Sequence, residues 1–186
     1  MARFEIEDTP IAGLKVVQRR ALADARGFLS RVFCAQELQA AGWRKPVAQI
    51  NHTLTSRAGT VRGLHYQRPP HAEMKLVACL QGCVWDVALD LRRGSPTFLR
   101  WHATELSPEN GRALLIPEGL AHGFQTLTDG CMLLYLHSAP HEPRAEAGLN
   151  PADGRLAIAW PRALGALSER DAALPLLDEG FEGLTP

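Results

Sequence analysis

The chain lacks an excess of either charge: 20 Lys and Arg residues balance 20 Asp and Glu residues over 186 positions. Without a net field, nothing in its composition recruits nucleic acid or an anionic membrane surface. Apolar runs of membrane-spanning length are missing as well. Met1 leads into Arg3, Glu5, Glu7 and Asp8 rather than into a signal-peptide core. A cytoplasmic protein is expected. Cysteine is scarce, limited to Cys34, Cys79, Cys83 and Cys131. Cys79 and Cys83 are spaced too widely for a Cys-x-x-Cys pair, so neither a zinc knuckle nor a dithiol redox motif is indicated. Small buried thiols are the expectation. Repeats, linkers and low-complexity tracts are absent, and so is the glycine-rich fingerprint of dinucleotide binding.

What is present suits one domain, residues 1–186, with a single core, since 46% of the residues are hydrophobic. Short β-rich runs bounded by Gly, Pro, Asn and Asp dominate up to about residue 140. Strands are expected over 13–18, 27–33, 47–54, 98–106, 112–116 and 123–137. Residues 76–91 are expected to form two more, broken near Gln81-Gly82. Trp85, Val87 and Leu89 alternate with Asp86, Ala88 and Asp90, the period of a half-buried strand. Ala35 to Ala41 reads as a short helix, Asn150 to Gly154 as a turn, and Ser168 as a helix N-cap with Glu169 in the first turn. The fold class is therefore all-β, a double-sheet jelly roll or cupin-type sandwich with short, mostly C-terminal helices.

Four residues carry acid–base chemistry. His65 lies in Arg62-Gly63-Leu64-His65-Tyr66-Gln67, Lys75 in an apolar strand, Tyr135 in Met132-Leu133-Leu134-Tyr135-Leu136, and Asp171 in Ser168-Glu169-Arg170-Asp171. A histidine accepts a proton near neutral pH, a carboxylate orients it, a lysine stabilises an enolate, and a tyrosine returns a proton. Taken alone, Tyr135 reads as a core tyrosine and Asp171 as a first-turn helix carboxylate. A lysine is costly to bury unpaired, which favours a cleft for Lys75. On a regular strand Arg62 and His65 face opposite sides; a bulge at Gly63 would bring them together. No metal is expected. His65 is followed by Tyr66 and Gln67, His71 stands alone, and His122 in Pro117-Glu118-Gly119-Leu120-Ala121-His122 lacks partner ligands.

These segments, together with Asp24-Ala25-Arg26-Gly27-Phe28, Gln49-Ile50-Asn51-His52, Asp86-Val87-Ala88-Leu89-Asp90-Leu91-Arg92 and Gly94-Ser95-Pro96-Thr97-Phe98, occur in one order. In that order the chain resembles the dTDP-4-dehydrorhamnose 3,5-epimerase family over nearly its whole length. The resemblance implies a cupin fold, a nucleotide-diphosphate 4-keto-6-deoxy sugar as substrate and no cofactor. It makes His65 the base, Asp171 its partner, Lys75 the group at the ketone and Tyr135 the acid. Arg62 falls on the phosphates, Gln49 and Asn51 on nucleotide and sugar, and Glu146 and Arg170 on further substrate contacts, Arg170 replacing the usual lysine. His122 is either a substrate ligand or the support of its turn. Arg26 and Phe28 would reach the neighbouring site of a homodimer.

Two positions depart from the family pattern. Arg31 stands where a glutamate meets the thymine. An arginine, having only donors, would suit cytidine or guanosine, unless it turns to solvent or a phosphate. His141 stands where a tyrosine is usual, which bears on whether C3, C5 or both are inverted. The expected reaction is inversion beside a C4 ketone through an enolate. The alternatives are a single-carbon epimerase on a CDP- or GDP-linked sugar, a 3,4-ketoisomerase, a non-catalytic sugar-nucleotide binder, and a metal-dependent oxygenase.

Overall fold

The computed structural model describes residues 2–185. Thirteen strands and two one-turn helices follow in order: β1 (Phe4–Asp8), β2 (Lys15–Arg19), β3 (Ala21–Asp24), β4 (Gly27–Ser30), α1 (Ala35–Gln39), β5 (Gln49–Thr55), β6 (Val61–Gln67), β7 (Lys75–Gln81), β8 (Val84–Asp90), β9 (Trp101–Leu106), β10 (Arg112–Ile116), β11 (Leu120–Thr126), β12 (Cys131–His137), β13 (Glu146–Gly148) and α2 (Glu169–Ala172). Six strands form one sheet, ordered β1-β2-β10-β7-β12-β5, and five form the other, ordered β13-β6-β11-β8-β9. β3 and β4 make a separate hairpin. The all-β jelly-roll sandwich is the architecture expected.

Alternation along each strand sorts side chains into layers. Val16, Val77, Cys79 and Leu133 of the first sheet meet Val84, Ala88, Leu106 and Phe124 of the second. Each fully buried aliphatic side chain there contributes about 1.5–3 kcal/mol relative to exposure. The outer face of the six-stranded sheet packs Leu76, Ala78, Leu115 and Leu136 under Leu38 and Trp43. The outer face of the other sheet packs Leu64, Leu89 and Ala121 under Leu149, Leu156 and Leu177 from the C-terminal segment.

That covering corrects one expectation. β8 is buried on both faces rather than half-buried, because Leu89 points to the C-terminal segment while Asp86 and Ala88 point between the sheets. Residues 123–137 are not one strand: β11 ends at Thr126 in the five-stranded sheet and β12 starts at Cys131 in the six-stranded one, with Gly130 at a positive φ of 65° in the link between the sheets. The segment 27–33 pairs only as far as Ser30. β1, β3, β6 and β13 are not among the expected strands: β1 and β3 are short and largely exposed, β13 has three residues, and the alternation of β6 is interrupted at Gly63. Only one of the two helices is C-terminal; Pro151, Pro161 and Pro175 keep most of the tail irregular. Cys79 and Cys131 are buried as expected, whereas Cys34 and Cys83 are half-buried, and all four are free thiols. Among the described residues no helix is long and apolar enough to cross a membrane.

Candidate active site

At one end of the sandwich the inward-facing residues change from apolar to polar and surround a cavity of about 400 Å³. Asn51, Thr53, Lys75, Tyr135 and His137 enter it from the six-stranded sheet. Arg62, His65, His122 and Phe124 enter from the opposite sheet, and Ser168, Arg170 and Asp171 close one side. His65 and Tyr135 thus reach the same space from facing walls.

Gly63 decides which way His65 points. β6 pairs His65 with His122 and Arg62 with Phe124, so three steps on β6 match two on β11. The extra residue is a β-bulge, which turns Arg62 and His65 to one face. Gly63 adopts a φ of 117°, and a Cβ there would sit 2.6 Å from the Gly123 Cα. Only glycine fits. The bulge leaves the Gly63 N–H free of the ladder, and it donates to Asp171 Oδ2 at 3.2 Å.

The other oxygen of Asp171 lies 2.8 Å from His65 Nε2. Asp171 is carried by α2, whose N-cap Ser168 hydroxyl accepts from the Asp171 N–H at 3.0 Å. An ionised carboxylate only accepts, so His65 donates from Nε2 and keeps its Nδ1 lone pair. Burial lowers the His65 pKa below that of a free imidazole, and Lys75 and Arg170 add to this; Asp171 pulls the other way. His65 is therefore neutral, and able to accept a proton, around pH 7.

Lys75 is 7% exposed. Its Nζ lies 3.2 Å from Glu73 Oε1 and reaches across the sandwich to the His65 carbonyl at 3.5 Å. Burial pushes the Tyr135 phenol well above its ordinary pKa, with Thr53 beside it pulling back. Tyr135 stays protonated, as a proton donor must. His122 is buried, with Nε2 at 3.0 and 3.1 Å from the two oxygens of Asp86, and its ring meets Tyr135 edge-on at 6.1 Å. It both lines the cavity and is held by its own sheet. Among the described residues no group of three His, Cys, Asp or Glu is disposed to hold a metal ion.

Arg62 donates to Thr55 at 3.1 Å, which links the two sheets at the cavity edge. Gln49, Asn51, His141 and Glu146 line an adjoining cavity of about 140 Å³. Arg170 pairs with Glu146 at its rim. Three expected site residues are not brought in. Arg26 pairs with Asp24 at 2.6 Å on the β3–β4 hairpin, Phe28 is 73% exposed there, and Arg31 pairs with Glu37. None of them lines either cavity within this chain. Conversely, Glu73, Asp86 and His137 were not singled out as site residues. Each sits two positions from a recognised residue or in a quoted motif, so the period of two was the available signal.

The sequence profile described as dTDP-4-dehydrorhamnose 3,5-epimerase matches residues 8–179. An enzyme of that name from Sinorhizobium fredii is 41% identical over 175 residues, covering 91% of this chain and 87% of its own. A Streptomyces niveus protein named dTDP-4-dehydrorhamnose 3-epimerase is 39% identical over 178 residues, covering 95% and 86%. The crystal structure of a Legionella pneumophila dTDP-6-deoxy-D-glucose-3,5-epimerase, in complex with dTDP-4-keto-L-rhamnose, superposes with a TM-score of 0.90 at 37% identity, covering 98% of this chain and 99% of that one. With profile, sequence and architecture agreeing over nearly its full length, the chain belongs to the dTDP-4-dehydrorhamnose 3,5-epimerase family.

Proposed function

We propose that the chain inverts C3 and C5 of a thymidine-diphosphate-linked 4-keto-6-deoxyhexose, one domain carrying the whole catalytic set. The observation that carries this reading is the entry of His65 and Tyr135 into one cavity from opposite sheets. His65 removes the proton α to the C4 ketone. The electron pair moves onto the ketone oxygen as an enolate beside the Lys75 ammonium. Tyr135 protonates the carbon from the other face, which inverts it. His65 then holds an extra proton and Tyr135 lacks one. Exchange with water resets both, so every turnover admits a solvent proton.

Arg62 supplies positive charge for the diphosphate, and Gln49, Asn51, Glu146 and Arg170 supply polar contacts. His122, fixed by Asp86, shapes the wall behind Tyr135. A ketoisomerase would need its second proton delivered to oxygen; a phenol on the wall facing the base suits delivery to carbon. Arg31 pairs with Glu37 of α1, which draws its guanidinium away from either cavity and supports thymidine as the base.

A homodimer belongs to this reading. Leu22, Phe28 and Leu29 on the β3–β4 hairpin and Ile50 and Leu54 on edge strand β5 are exposed large apolar residues, a surface suited to association. The hairpin would bring Arg26 and Phe28 to the partner's nucleotide. A cytoplasmic location fits four free thiols, which persist in reducing compartments.

Incubating the protein with dTDP-4-keto-6-deoxyglucose in heavy water tests the proposal. Deuterium should enter at both C3 and C5. Exchange at neither carbon overturns it, and a carbonyl moved to C3 would make the enzyme a ketoisomerase.

A further inference from the structure

Thr53 has no part in the reaction as written, yet it stands beside the residue that completes it. β5 and β12 pair Asn51 with Tyr135 and Thr53 with Leu133. Thr53 is therefore the diagonal cross-strand neighbour of Tyr135 on one face of the sheet. Both line the larger cavity. Thr55, the next residue of β5 on that face, has its hydroxyl taken by Arg62 at 3.1 Å. The Thr53 hydroxyl is buried and makes no hydrogen bond in the resting site. Buried polar atoms are rarely left so, and a catalytic role is one recognised reason. Burial raises the Tyr135 phenol, and the Thr53 hydroxyl is the strongest influence the other way, ahead of the Arg62 charge; Asp86 and Cys79 side with burial. Thr53 thus favours the ionised phenol, a state that arises only during the reaction.

We propose that Thr53 is a positioning residue for proton delivery, whose hydroxyl donates a hydrogen bond to the Tyr135 phenolate that delivery leaves behind. The assignment rests on the epimerase reading above. In that step the phenol O–H bond breaks, the π pair of the enolate takes the proton to form the C–H bond, and the ketone re-forms. The negative charge passes from the enolate oxygen to the Tyr135 oxygen, while Thr53 keeps its own proton. A phenolate withdrawn from water is costly without a donor. A hydroxyl that is unpaired before the step and bonded as the charge arrives stabilises the transition state without stabilising the resting site. It needs no contact with substrate, which agrees with its burial against the strand pair.

Two variants separate this role from structural support. Thr53→Val is nearly isosteric and removes the donor; Thr53→Ser keeps it. Each is incubated with dTDP-4-keto-6-deoxyglucose in heavy water, and deuterium is measured in the recovered, uninverted sugar and in the inverted one. Slower delivery from Tyr135 lets more of the enolate take its proton back from His65. Thr53→Val should therefore raise the ratio of uninverted to inverted deuterated sugar by about tenfold, the effect of one lost hydrogen bond to an ionised group. Thr53→Ser should restore the unmodified ratio. Thermal unfolding gives a second readout. Because the hydroxyl is unpaired in the resting fold, Thr53→Val should unfold at the same temperature as the unmodified protein or higher. An unchanged ratio in Thr53→Val, an equal rise in Thr53→Ser, or a lowered unfolding temperature in Thr53→Val would overturn the assignment. If the unmodified protein exchanges deuterium at neither carbon, the epimerase reading falls instead, and this one with it.

Discussion

Asp171 holds both the imidazole of His65, at 2.8 Å, and the N–H of Gly63, at 3.2 Å, across a sequence separation of more than 100 residues. One carboxylate thereby fixes the base and the bulge that aims it. Two jobs on one side chain make its replacement informative.

Asp171→Asn places an amide where an acceptor is needed. The amide can donate to His65 and select the wrong tautomer, as known for histidine–carboxylate pairs. The rate of deuterium exchange should fall by about 10²–10³ with little change in KM. A variant within twofold of the unmodified kcat would remove Asp171 from the catalytic set.

The acid limb of kcat/KM should reflect His65. Its pKa lies below the free-imidazole value of 6.5, chiefly through burial. The base is active when neutral, so activity should rise with pH, reach half-maximum below about 6.5, and be level near pH 7. Asp171 works against the lowering, so its removal should shift the limb further to acid. A limb centred above 6.5 would mean that the carboxylate outweighs burial.

His65 and Tyr135 should fail differently. His65→Ala should lower exchange by about 10²–10⁴ while leaving nucleotide binding intact. Tyr135→Phe should lose inversion more severely than initial exchange, because abstraction precedes delivery from the far wall. Equal losses of exchange and inversion in Tyr135→Phe would reduce Tyr135 to a packing role.

Asp90 is fully buried and accepts from Arg92, Ser95 and Thr97. Burial alone would raise its pKa, but these bonds hold the carboxyl at about 2, below its ordinary value of 3.8. A depressed pKa contributes stability that is full above about pH 4 and is lost as pH falls towards 2. Asp90→Asn should destabilise the fold by about 1–3 kcal/mol at pH 7 and flatten that acid dependence. Thermal unfolding from pH 2.5 to 7 that superimposes for the two proteins would show the cluster to be energetically silent.

Arg31, engaged by Glu37, should not select the base. Thymidine diphosphate should bind at least as tightly as cytidine or guanosine diphosphate, and Arg31→Glu should not reverse the order. Calorimetric titration giving tightest binding to the cytidine or guanosine form would restore Arg31 as a base reader.

The all-β class, the N-cap at Ser168 and the strand over 112–116 were legible because each depends on local chemistry: turn residues, a hydroxyl beside a helix start, an unbroken apolar run. The family motifs also named His65, Lys75, Tyr135 and Asp171, and the structure gathers all four in one cavity. The burial of both faces of β8 was not legible, since the second face is covered by Leu149, Leu156 and Leu177 from far along the chain. Nor was the triad of Lys75, Glu73 and His137, because His137 on β12 meets Lys75 on β7, and Glu73 just before that strand, only through the β12–β7 register.

By itself, then, the sequence determined what depends on residue type and short spacing: strand-rich patterning, balanced charge, the glycine that permits a bulge, and the chemistry available at each motif. The tertiary structure alone decided which faces are covered and which groups meet. It set His65 against Tyr135 on opposing sheets, gave Asp171 two partners, and left His137 Nε2 buried and unpaired. The reason is one of range. Backbone preference and side-chain alternation act over a few residues, whereas desolvation, ion pairing and the approach of two walls depend on segments up to about a hundred residues apart packing together.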